Sequence, residues 1–262
     1  MSRPELLPKI IGVVHLLPLP GSPGYRGSIE GVLTRAIDDC RAYHDGGVEG
    51  AVIENFGDVP FSAGMVAPVT VAAMTRAAVE LKREFPGMHF GLNVLRNDAE
   101  SALSIAYAIG ADFIRVNVHV GAVVADQGII QGKAYETLRL RRSLDSAVQI
   151  LADIDVKHSA QIGKYDINIQ AADALERGLA DAIVISGSRT GQAVDMEQLR
   201  QLRREFKEAN IVIGSGGNSR NVKFLLKYAN SVIVGTSVKK DRITSNPVDQ
   251  QRLAEFVEAA RI

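Results

Sequence analysis

IVIGSGG (residues 211–217) is a short apolar run that closes on small residues. NSRNVKFLL (218–226) behind it reads as a helix, and SVIVGT (231–236) is the next apolar run. One strand, one turn rich in glycine and one helix make a βα unit. Moving outward, the same unit starts at IIGVVH (10–15), GAVIEN (50–55), HFGLNV (89–94), DFIRVNVH (112–119), QILADIDVKH (149–158) and DAIVISG (181–187). Eight such units in 262 residues predict an α/β chain folded as a single (β/α)₈ TIM barrel spanning 1–262, with its chemistry at the carboxyl ends of the strands. Several runs are Val/Ile-rich almost throughout, as strands covered on both faces must be.

The segments between the runs carry helical spacing. Val71, Met74, Ala78, Leu81 and Phe85 recur three and four apart, which places them on one helix face. Asp195 with Gln198 has the pattern of a capping box, Ser219 is a candidate N-cap, and Asn246-Pro247 suggests a proline in the first helical position. Glycines at 46, 110 and 178 mark helix ends before the next strand. Helix-to-strand connections are brief, whereas LLPLPGSPGYRG (16–27), NFGDVPFSAGMVAP (55–68) and VHVGAVVADQGIIQG (118–132) are long. These long loops follow strands 1, 2 and 4 at one end of the barrel, and long loops in a compact domain are usually functional. A covered pocket at the carboxyl mouth is the expectation. No linker, low-complexity segment or charge run divides the chain.

Composition narrows the partners. Lys plus Arg equals Asp plus Glu at 30 each, a net charge of zero, so nothing marks the chain for nucleic acid or anionic lipid. One cysteine, Cys40, cannot form an internal disulfide or a multi-thiolate zinc site, and reads as a buried thiol on the first helix. MSRPELLPK lacks the apolar centre of a signal peptide, and no run is long enough to be a transmembrane segment. The reading expects a cytoplasmic protein, with apolar helices that leave room for a homo-oligomer.

The last two strand ends point to an anion. In this fold the loops after strands 7 and 8 commonly hold phosphate on backbone N–H groups and a helix N-terminus. Gly214, Ser215, Gly216 and Gly217 on one loop, with Gly235, Thr236 and Ser237 on the other, fit such a site: glycines permit close approach and hydroxyls add donors. Tight βα turns alone would also explain the glycines.

The fifth run is unusual in its charges. In LADIDVKH, alternation puts Asp153, Asp155 and Lys157 on one face, opposite Ile154 and Val156. The outer face meets helices, so the charged row points inward. Arg115 and Asn117 share the inner face of the fourth run, and Asn93 that of the third. Arg115 facing two carboxylates suggests a deep ion pair with Asp153, since unpaired buried charge is costly. Asp155 and Lys157, nearer the strand end, are candidate acid–base groups; the carboxylate beside Lys157 disfavours a Schiff-base role. His15 and Glu54, with Asn55, reach the same rim, with Asp58 beyond, and a histidine beside a carboxylate suits proton transfer. His15, Glu54 and Asp155 could alternatively ligate a divalent metal, although no HxH or HExxH spacing supports it. Ser186, Thr190 and Gly191 in SGSRTG read as substrate contacts.

HLLPLPGSP (15–23), ENFGDVPF (54–61), NVLRND (93–98), FIRVN (113–117), DVKH (155–158) and SGSRTG (186–191) together resemble the BtpA family, SgcQ-type members included, over nearly the whole chain. The resemblance implies a barrel, one photosynthetic member tied to photosystem I biogenesis and others that accompany sugar-uptake genes. It implies no reaction, and it marks His15, Glu54, Asn55, Asp58, Asn93, Arg115, Asn117, Lys157 and His158 as candidates. Three functions follow as expectations. The first is an enzyme of isomerase, epimerase or aldolase type on a small phosphorylated metabolite, in the first place a sugar phosphate. The second is a metal-assisted hydrolase of a phosphorylated or nucleoside-like substrate. The third is a non-catalytic assembly factor that keeps a barrel pocket.

Overall fold

The computed structural model describes residues 7–154, 159–162, 166–187 and 193–261. Eight parallel strands close a barrel: β1 (Ile10–His15), β2 (Gly50–Glu54), β3 (His89–Asn93), β4 (Phe113–Val116), β7 (Gln149–Asp153), β9 (Ala182–Ile185), β10 (Asn210–Ile213) and β11 (Ser231–Val234). Each is followed by a helix on the outside: α1 (Ile29–Asp45), α2 (Pro68–Glu84), α3 (Ala99–Ile109), α4 (Ala134–Ser143), α5 (Ile167–Ala172), α6 (Met196–Glu205), α7 (Val222–Leu225) and α8 (Gln250–Ala260). A π-helical turn, Asp173–Arg177, extends α5. No described helix is long and apolar enough to cross a membrane.

Strand alternation sorts the barrel into an apolar base and a polar mouth. Ile11 and Val13, Val52, Phe113, Leu151, Ala182 and Val184, Val212 and Ile233 form the inner cluster. Two residues further along the same faces stand His15, Glu54, Arg115, Asp153, Ser186, Gly214 and Gly235, as a period of two requires. The intervening residues, such as Val14, Ile53, Leu92, Ile114 and Ile150, face the helices in the larger outer core. Gly91 is where a side chain would collide with the Phe113 ring, so one large residue fills the base in place of two. Gly12 plays the same part outside, where the Tyr43 ring of α1 packs against it and the Tyr43 hydroxyl donates to Val13 O at 3.2 Å.

Several local expectations are corrected. The loop after β4 folds into a hairpin of β5 (Ala122–Ala125) and β6 (Gly128–Gln131), to which β8 (Ser159–Gln161) adds in an antiparallel sheet of order β6-β5-β8. Its signal was two apolar runs around Asp126-Gln127-Gly128, with Gly128 at φ +97° where glycine is favoured. Of the charged row of the fifth run, Asp153 stands at the end of β7, while Asp155 and Lys157 lie outside the described residues. Ser219 does not cap α7, whose N-cap is Asn221. Pro247 precedes α8 by three residues; the chain there pairs Val248 with Lys239, and Asp249 caps the helix. Asp195 caps α6 through Glu197 and Gln198 N–H groups, and glycines 46, 110 and 178 stand at the ends of α1, α3 and the π-helical turn. Cys40 is buried, 3.8 Å from the Met88 sulfur, and burial pushes its thiol up to about 12.

Behind the hairpin, His119 is buried with Nε2 donating to Gly178 O at 2.7 Å. Among the described residues its Nδ1 has no partner, so protonation would bury an N–H without an acceptor there. Burial lowers its pKa below the ordinary value, and nearby Arg141 adds to this, against the Gly178 bond and Asp181. A depressed histidine binds fewer protons folded than unfolded, so stability rises with pH until the unfolded value of about 6.5 is passed. Acidification from about pH 7.5 to about pH 5.5 should therefore lower the urea midpoint of the wild type more than that of His119→Gln. Equal losses in the two proteins would remove His119 from the acid response.

Candidate functional site

Strand register builds the polar layer. His15 pairs with Glu54, and Glu54 with Asn93, across β1, β2 and β3, so the three stand at one level. Asn93 Nδ2 donates to Glu54 Oε1 at 2.9 Å, and His15 Nε2 lies 4.0 Å from Glu54 Oε2. The His15 ring meets Phe56 edge-on, with centroids 4.9 Å apart. From β4, Arg115 grips Asp153 with two parallel bonds, Nε to Oδ1 at 2.9 Å and Nη2 to Oδ2 at 3.0 Å. Its third nitrogen lies 3.7 Å from Glu54 and 3.4 Å from Gly214 O. Burial alone would lower the Arg115 pKa, but the Asp153 charge and bonds, with Glu54, raise it overall. Asn117 Nδ2 donates to the same Asp153 oxygen at 3.0 Å. One guanidinium thus organises two carboxylates at the barrel's polar level.

These groups line a cavity of about 910 Å³ at the carboxyl mouth, within the usual range for a small-molecule site. Residues 214–220 and 235–238 form one side of it, and Phe56, Val59, Phe61 and Leu95 give an apolar wall. Gly216 has φ +84°, the left-handed region that favours glycine. Gly214 and Gly235 are small for another reason. A Cβ at Gly214 would stand 2.7 Å from Ser186 Oγ and 2.8 Å from Arg115, and one at Gly235 would stand 2.8 Å from the His15 ring. Among the described residues, no acceptor meets the N–H groups of Ser215, Gly216, Gly217, Thr236 or Ser237.

The structure brings some of the sequence candidates together and not others. His15, Glu54, Asn93, Arg115, Asn117, Gly214, Ser215, Gly216, Gly217, Gly235, Thr236 and Ser237 all line the one cavity. Asn55 does not: its amide donates to Asp58 and accepts from Leu95 N at 2.7 Å. Asp58 in turn accepts from Leu19 N at 2.8 Å, and burial raises its pKa against these bonds. Asn55 and Asp58 are struts that join the loops after β1, β2 and β3. The Ser237 hydroxyl donates to Gly217 O at 2.8 Å and so ties the two loops together, while Thr236 bonds Thr244 at 2.9 Å. Ser186 is buried outside the cavity lining, and its Oγ has no partner among the described residues. Asp155, Lys157, His158, Thr190 and Gly191 lie outside the described residues. Among the described residues, no three of His, Cys, Asp and Glu gather as metal ligands; the set His15, Glu54 and Asp155 includes one undescribed member.

Sequence reading missed the arginines. Arg96, Arg220, Arg242 and Arg252 all reach the cavity, with Asp126 from the hairpin and Glu255 from α8. Arg220 follows the glycine loop directly and was legible there; Arg242 and Arg252 arrive from the C-terminal segment, which no motif marks.

A closed parallel barrel with a polar cavity at its carboxyl mouth defines a TIM-barrel protein. The chain belongs to the BtpA family, whose model matches residues 8–262. It is 44% identical over 250 residues to the photosystem I biogenesis protein BtpA of Synechocystis, covering 95% of this chain and 87% of that protein. Among solved structures, thiamine phosphate pyrophosphorylase from Pyrococcus furiosus superposes with a TM-score of 0.59 at 13% identity, covering 99% of this chain and 98% of that one. The 3-hexulose-6-phosphate synthase from Salmonella typhimurium gives 0.57 at 15% identity, covering 96% and 98%. At such identities the two structures share the fold with this chain.

Proposed function

We propose that this protein is an enzyme acting on a small phosphorylated metabolite, in the first place a sugar phosphate, by acid–base chemistry of the isomerase, epimerase or aldolase type. The carrying observation is one cavity that joins an anion cradle to a carboxylate–imidazole pair. At the cradle, five N–H groups without acceptors among the described residues stand on the loops after β10 and β11, with Arg220, Arg242 and Arg252 lining the same cavity. Backbone N–H groups and arginines are the donors a phosphate needs. At the pair, Glu54 is the base that removes a proton from carbon next to a carbonyl, and His15 is placed to shuttle protons. Asn93 and Arg115 hold the Glu54 carboxylate in place. The two solved barrels are named for reactions of phosphorylated compounds, which accords with this reading by fold precedent alone.

Thermal shift with a panel of sugar phosphates and their parent sugars tests the first half. A ligand at about 100 times its dissociation constant adds about 2.7 kcal/mol to the native state, so a sugar phosphate should raise the melting temperature where its parent sugar does not. Ser215→Asp, which brings a carboxylate into the cradle, should remove that response. Incubating the stabilising compound in D₂O tests the second half, because Glu54→Gln should abolish the incorporation of deuterium at carbon that the wild type catalyses. A flat panel across all sugar phosphates would sink the proposal. Stabilisation without deuterium exchange would leave a binding protein, the behaviour of an assembly factor with a pocket.

A further inference from the structure

Asn117 carries a buried atom that the protein does not satisfy. Its side chain is buried on the cavity lining, and its Nδ2 is fixed by the 3.0 Å bond to Asp153. That bond settles which end of the amide is which, and among the described residues it leaves Oδ1 with no hydrogen-bond partner. An unpaired buried acceptor costs free energy and is rare in native proteins. Here the atom belongs to a residue that lines the cavity.

The charges around it decide what can fill it. Glu54, Asp126 and Asp153 line this part of the cavity with Arg96 and Arg115. Arg96 interacts electrostatically with Asp153, Asp126 and Glu54, and Arg115 is held by Asp153 and Glu54. Three carboxylates face two guanidiniums, so among the described residues the balance there is negative. The cradle side is the opposite: Arg220, Arg242 and Arg252 face Glu255. Among the described residues the cavity is therefore polarised, with excess positive charge near the glycine loops and excess negative charge near Asn117.

We infer that the site takes a monophosphate whose other end presents a hydroxyl donor to Asn117 Oδ1, and that it discriminates against bisphosphates. This rests on the anion cradle proposed above and adds what the ligand must carry away from its phosphate. A hydroxyl completes the orphaned acceptor, whereas a second phosphate would meet an acceptor and, among the described residues, more carboxylates than guanidiniums. Asn117 is thus a specificity-determining residue.

Calorimetric titration with inorganic phosphate, a series of triose to hexose monophosphates and the matching bisphosphates tests it on wild type and Asn117→Ala. Phosphate should bind both proteins alike, which also shows that the variant is folded. At least one monophosphate should bind wild type tighter than phosphate does, and Asn117→Ala should lose roughly fivefold of that gain, the worth of about one neutral hydrogen bond. Each bisphosphate should bind more weakly than its monophosphate. Phosphate binding retained with tighter bisphosphates, or with a gain unchanged in Asn117→Ala, overturns this inference and leaves the cradle standing. Failure of phosphate and every monophosphate to bind wild type overturns the cradle, and this inference with it.

Discussion

Arg115→Met should cost about 3–5 kcal/mol of folding stability, the usual penalty for removing one partner of a buried ion pair. The side chain is buried and makes both bonds to Asp153, and its third nitrogen serves Glu54 and Gly214 O. Methionine approximates its length, so the cavity term is small; the cost comes from leaving the buried Asp153 carboxyl without its two guanidinium bonds, with Asn117 still donating to it. For a chain of this size each 1 kcal/mol moves the melting temperature by about 2–4 °C, so the loss should be roughly 10 °C. Arg115→Met with Asp153→Leu should recover more than half of it, because replacing both members of a buried pair by apolar groups is often near neutral. Chemical denaturation of the two variants and the wild type measures this. A single variant within about 1 kcal/mol of wild type would mean that Arg115 does not organise the polar layer.

The difference between what was legible and what was not follows from the reach of each physical rule. Alternation within a strand is local, so the inward faces of Arg115, Asn93, Asp153 and Glu54 could be read from single runs, and the structure places all four on the cavity. The pairing of Arg115 with Asp153 followed from the cost of unpaired charge. What local rules do not contain is the path of a loop. Asn55 follows Glu54 directly, but the chain leaves the strand between them, and its amide turns to Leu95 and Asp58. Residues in a specific motif read as candidate binding residues, and in the structure their side chains join three loops. The same limit hid Arg242 and Arg252. They reach the cavity because the segment after β11 folds back over the mouth, an outcome set by contacts with α1, some 200 residues earlier in the chain.

That contact sets up the second large effect. Asp39 on α1 is buried and accepts from Lys239 Nζ at 2.7 Å, Arg35 Nε at 3.1 Å and Val248 N at 2.8 Å. Lys239 is wholly buried, and burial lowers its pKa while Asp39 works against that. Asp39→Ala would strand an ammonium and a backbone N–H together, so its cost should again be about 3–5 kcal/mol. Lys239→Met with Asp39→Leu should lose less, limited to the unpaired Val248 N–H and the lost Arg35 contact. A functional consequence separates this pair from an ordinary structural ion pair. Lys239 directly follows the 3₁₀ turn Thr236–Val238, whose residues line the cradle, and the Ser237 hydroxyl ties that turn to Gly217. Asp39→Asn keeps Oδ1 as the acceptor for Val248 but puts an amide NH₂ where Oδ2 accepts from Lys239 and Arg35, so it should fold less stably than wild type and hold phosphate several-fold more weakly. Its denaturation midpoint and its phosphate titration, measured on the same preparation, decide the point. Weakened folding with unchanged phosphate affinity would confine Asp39 to stability, whereas a loss in both would make the α1 carboxylate a positioning residue for an anion it never touches.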